Sequence, residues 1–256
     1  MFIGVIMVMK KIFDKSEVTF AIVLIVVYVV GSSLMQRVSA MIGIQFLAEA
    51  VFNLILSAIL LVFILKNKLT EHLGLCGSEV KSSKMLFYIP LFLVAFSGVL
   101  SGFAPQFDTI PLIARTVMMF GVGFLEEIIF RGFLFRGMAK DGLKSAVIVS
   151  AVTFGVGHIV NLLNGYDITK SITQIVFAVA VGFLLVMIFL RTGSLIACIV
   201  FHALNNSCTG FSSGELLKSA VGENNAQWVM LGICLVITAL YFGYIMKFIP
   251  KKNALK

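Results

Sequence analysis

Residues 120–132 read Phe120-Gly121-Val122-Gly123-Phe124-Leu125-Glu126-Glu127-Ile128-Ile129-Phe130-Arg131-Gly132, two adjacent carboxylates and a guanidinium inside an otherwise apolar run. Ionisable side chains at membrane depth are costly, face a protein interior, and so read as a functional site. The composition agrees with that setting: 60% of residues are hydrophobic and 12% charged, and the mean hydropathy is +1.07. These values lie outside the range of soluble globular domains. The 256 residues leave room for roughly eight spans of about 20 residues and for no soluble catalytic domain. The fold class expected is all-α, a polytopic membrane helix bundle of about eight transmembrane helices.

Outward from that stretch, apolar runs fall near 18–35, 43–65, 85–103, 111–135, 145–163, 171–190, 194–208 and 226–246. With a cytoplasmic N-terminus, only Arg37, Arg115, Lys170 and Lys218 of the 20 lysines and arginines lie on the outer side. That asymmetry satisfies the positive-inside rule with both termini cytoplasmic. It also explains the formal charge of +8 without a nucleic-acid partner; the expected surroundings are the lipid bilayer of the cell membrane. The division expected is 1–17 as a cytoplasmic or interfacial segment, 18–110 as N-terminal spans, 111–210 as the core carrying the motifs, and 211–256 as the last loop, final span and basic tail. The first apolar run follows Lys10, Lys11 and Lys15 like a secretory signal, but it is long and lacks a small-residue cleavage site, so it reads as a retained span. Cys76, Cys198, Cys208 and Cys234 form no CxxC pair, which argues against a disulfide framework or a zinc knuckle.

Helix geometry sorts the polar residues. Glu127 and Arg131 are four apart and share a face, which favours a neutralising pair. Glu126 points about 100° away and is left free for chemistry. Phe154 and His158 are one turn apart, and Gly155 and Gly157 strip bulk from that helix so that another backbone approaches closely. His202 and Asn206 also share a face; an imidazole and a carboxamide both donate hydrogen bonds, as an oxyanion on a peptide carbonyl requires. The plainer alternative is that these groups only bond helix to helix. Measured from the cytoplasmic ends, Glu126 lies roughly 14 Å deep, His202 about 12 Å, Asn206 about 18 Å and His158 about 20 Å. One cavity opening to the cytoplasm is expected to gather them. By similar depth, Glu49 and Arg115 are expected to pair, and Gln45, Glu49 and Asn53 form a polar stripe that should face protein.

The pattern EExxxR, then FxxxH, then HxxxN, spread over residues 117–206, resembles the CPBP family of CAAX protease and bacteriocin-processing intramembrane endopeptidases. In the type II CAAX prenyl endopeptidases of that family the first glutamate and first histidine are thought to activate a water; carried over, these are Glu126 and His158. The resemblance implies an oxyanion hole from His202 and Asn206, with Glu127, Arg131 and Phe154 supporting the site. Two readings of the chemistry stand side by side. Glu126, His158 and His202 match a zinc ligand count, yet no HExxH helix is present, and direct activation of water by Glu126 and His158 is preferred. The function implied is hydrolysis of a peptide bond in a membrane-associated peptide or protein, CAAX-like or of the signal or bacteriocin type. The alternative is a non-proteolytic scaffold or immunity protein acting on a membrane partner.

Overall fold

A computed structural model describes residues 2–250 of the chain; the expected basic tail with Lys251, Lys252 and Lys256 lies outside them. Twelve α-helices follow in order: α1 (Phe2–Lys15), α2 (Glu17–Ile42), α3 (Leu47–Lys66), α4 (Ile89–Leu100), α5 (Thr109–Glu127), α6 (Arg136–Ala139), α7 (Leu143–Gly157), α8 (Val160–Leu163), α9 (Ile168–Thr192), α10 (Ile196–Cys208), α11 (Glu215–Val221) and α12 (Glu223–Phe248). Among the described residues there is no strand, only an isolated pairing of Phe103 with Ser212. Local chemistry sets several boundaries. The side chains of Ser16 and Asp167 cap the starts of α2 and α9, and left-handed Gly43 and Gly193 end them.

Each predicted apolar run coincides with a helix, but among the described residues five helices are long and apolar enough to cross a membrane: α2, α3, the α7–α8 stretch, α9 and α12. The others differ for physical reasons. With 12 residues α4 and with 13 residues α10 reach about 18–20 Å, short of a 30 Å hydrocarbon layer. The fifth helix carries Arg115, Glu126 and Glu127 within its length.

Packing separates two ends. At the lysine-rich end Glu17 accepts from His72 and Lys140, each at 2.6 Å, and Arg191 donates to the Ile249 carbonyl at 2.6 Å. Below it, Phe13 of α1 packs edge-on against Phe20, Phe63 and Phe133. The N-terminal segment is thus a helix docked on the bundle, with Ile6 and Phe13 as its contacts. At the other end residues 101–108 lie along 209–216, with Ala104 N–H donating to Phe211 and Gln106 N–H to Gly210, both at 2.9 Å.

Between the ends, α5 runs into a π-helical turn over Ile128–Phe135. Such a turn replaces i→i+4 bonds with wider i→i+5 ones and changes the helix register. The Ser150 hydroxyl on α7 donates to the Phe130 carbonyl at 2.8 Å inside the core. Close helix contacts complete the frame: a Cβ added at Gly123 would meet Ala203 N on α10 at 2.7 Å, and one at Gly155 would meet Val179 N on α9 at 2.7 Å. The expectation for Gly155 holds, whereas Gly157 faces open space. Replacing Ser150 with alanine orphans the Phe130 carbonyl and should cost about 1–3 kcal/mol, read as a lower unfolding midpoint in detergent. An unchanged midpoint would show that the turn does not need this bond.

Candidate active site

Glu127 ends α5 and is fully buried, as is Arg131 within the π turn. Its Oε1 accepts from Arg131 Nη1 at 3.0 Å and lies 2.9 Å from His202 Nδ1. Glu126, on the adjacent face, accepts a bond from the Tyr28 hydroxyl of α2 at 2.7 Å through Oε1. Its other oxygen, Oε2, stands 3.5 Å from His202 Nε2 and has no hydrogen-bond partner although buried. That separation is beyond ordinary hydrogen-bond length. The imidazole of His202 is therefore held by Glu127 on one side and presented toward Glu126 on the other. Arg131 thus faces a buried carboxylate at contact distance, the arrangement in which burying an ionisable pair costs least.

Phe154 organises the remainder. Its ring lies 4.0 Å from the Arg131 guanidinium carbon and meets the rings of His158 and His202 edge-on, with centroids 5.7 and 5.5 Å away. His158 follows the last turn of α7 and places Nδ1 3.3 Å from the Gln174 amide of α9. Asn206 accepts from the Asn205 side chain at 3.2 Å, and its backbone carbonyl accepts from Arg115 at 3.2 Å. Phe154, His158, His202 and Asn206 all line one cavity of about 370 Å³, within the range typical of small-molecule and peptide pockets.

The seven residues singled out by spacing are thus brought together, with three corrections. The cavity does not open at the lysine-rich end: residues 125–137 and 184–192 are buried there, and its exposed rim, Lys170, Gln174 and Thr209, sits at the opposite end. Glu49 and Arg115 form no ion pair. Glu49 accepts from Ser39, and Arg115 binds Asn206 and Thr209, because neighbours on adjoining helices compete better than a charge at similar depth. Glu49 and Asn53 are buried as expected of the stripe, but Gln45 lies exposed in the turn before α3.

Among the described residues no three His, Cys, Asp or Glu side chains gather as metal ligands. His202 Nδ1 is engaged by Glu127, which leaves Nε2 as the ring nitrogen turned toward Glu126. Spacing missed Tyr28 and Gln174. Tyr28 is the only polar side chain in the run 20–30, and a buried phenol in such a run needs a partner.

Residues 108–208 match the family model described as type II CAAX prenyl endopeptidase Rce1-like. This match supports the CPBP family of CAAX proteases. The matched stretch runs from α5 to the end of α10 and contains every motif residue, whereas Tyr28 lies outside it. No curated relative matches the chain. The match to a membrane protease family and five apolar helices among the described residues fit an integral membrane protein. Glu127→Ala should leave Arg131 buried without its carboxylate and cost about 3–5 kcal/mol, while adding Arg131→Met should restore much of the loss. Thermal unfolding in detergent reads both; a Glu127→Ala chain as stable as the wild type contradicts the pairing.

Proposed function

We propose that this protein is an intramembrane endopeptidase that hydrolyses a peptide bond of a membrane-associated peptide or protein, CAAX-like or of the signal or bacteriocin type. The observation that carries the reading is the unpartnered Glu126 oxygen beside His202, next to a cavity lined by His158 and Asn206. A buried acceptor without a donor is unusual enough in a folded protein to call for a reason.

Glu126 and His158 hold a water, and Glu126 takes its proton as the oxygen attacks the carbonyl carbon. The carbonyl electrons move onto oxygen, where the Asn206 amide and His202 Nε2–H stabilise the oxyanion. Collapse breaks the C–N bond, and the departing amine receives the proton from Glu126. Glu127 fixes the orientation of His202, Arg131 neutralises Glu127, Tyr28 orients Glu126, and Phe154 keeps both imidazoles in place. Arg115 holds the end of α10 and with it Asn206. No step runs through a metal. The wider setting proposed is a multi-pass protein of the cell membrane with about eight spans, both termini cytoplasmic, and residues 111–210 as its catalytic core.

Replacing Glu126 with alanine should abolish a product in the membrane peptidome of cells carrying the protein. Asn206→Ala should slow its formation by about 10²–10³-fold, the usual cost of one oxyanion donor. A product profile and phenotype unchanged by Glu126→Ala would overturn the enzymatic reading and leave a scaffold or immunity role.

A further inference from the structure

The five helices around the cavity line it mainly with residues that lie away from their basic ends. On α4 the lining residues run from Val94 to Gly98, whereas Lys81 and Lys84 precede the helix. The seventh helix begins beside Lys144 and lines the cavity only with Phe154 and the following His158. Similarly, α9 lines it from Lys170 to Leu185 and ends at Arg191, and α12 from Gln227 to Cys234 before Lys247. On α10 the lining begins at Phe201, well past the Arg191 end. The rim is nearly neutral, with Lys170 close to Asp167 at the start of α9. The floor is apolar: Val94, Val181, Leu185, Phe201 and Leu231. Lysine-rich loops mark the cytoplasmic side of a bilayer, where anionic lipids attract them.

Resting on the peptidase reading, we propose that the cavity is reached from the extracytoplasmic side, and that its substrate is an apolar peptide segment presented from the outer leaflet. A lipidated C-terminus held in the cytoplasm faces the plugged end of the bundle, where Phe13, Phe20, Phe63 and Phe133 close the path. The apolar floor suits aliphatic or aromatic side chains, and the rim amides of Gln174 and Gln227 suit the polar backbone that enters with them.

The test uses the full chain in intact cells. Lys170→Cys places a thiol on the rim and Lys144→Cys places one at the lysine-rich end; a membrane-impermeant maleimide is added before or after permeabilisation, with the unsubstituted chain as background for the native cysteines. The expected result is labelling of Lys170→Cys before permeabilisation and of Lys144→Cys only afterwards. Any other pattern, including rim labelling that needs permeabilisation, overturns the proposal. Labelling does not depend on turnover, so the expected pattern together with processing unaffected by Glu126→Ala would remove the peptidase reading while leaving access from outside intact.

Discussion

One carboxylate oxygen carries the site. Glu127 Oε1 is shared by Arg131 and His202 in a place without solvent, and the Glu126 oxygen nearest His202 stands 3.5 Å from it. Remove that oxygen and the guanidinium is stranded in an apolar core, a loss of several kcal/mol, while the imidazole loses the bond that sets its orientation. Glu126, Phe154 and His158 are then arranged about a ring with no fixed direction.

Two backbone features make that sharing possible. Gly123 lets α5 and α10 approach until their backbones nearly touch, which brings a glutamate and a histidine 75 positions apart into hydrogen-bond range. The π turn after Glu127 then widens the helix at the point where Arg131 must fold back over Phe154. Wider turns of this kind are frequent at functional sites. Ser150 compensates at the Phe130 carbonyl. Stability near the site thus comes from contacts made by α7, α9 and α10, and the polar cluster is a cost that the surrounding core offsets.

Much of this was legible in the chain. Spacing of four within each motif placed Glu127 with Arg131, Phe154 with His158, and His202 with Asn206, because helical periodicity fixes which side chains share a face. Depth along a helix axis, in contrast, fixes neither azimuth nor which end of a bundle is plugged. For that reason depth pairs Arg115 with Glu49 rather than with the Asn206 carbonyl, and points to the lysine-rich end for the cavity. The plug depends on Phe13, Phe20, Phe63 and Phe133, residues from four separate segments whose meeting no local pattern encodes. Tyr28 escaped for a similar reason: its partner is 98 positions away. Apolarity alone marks α4 and α10 as spans, whereas their lengths fall short of those of the five longer apolar helices.

The most direct measurement is a double-mutant cycle between Glu127 and His202, using Glu127→Gln and His202→Gln separately and together and reading the rate at which the purified chain in liposomes forms the product that requires Glu126. If Glu127 acts by holding His202, the combined variant is no slower than His202→Gln alone, a coupling on the order of 0.5–3 kcal/mol. Losses that multiply, as for independent residues, would contradict the shared carboxylate as the organising contact of the site.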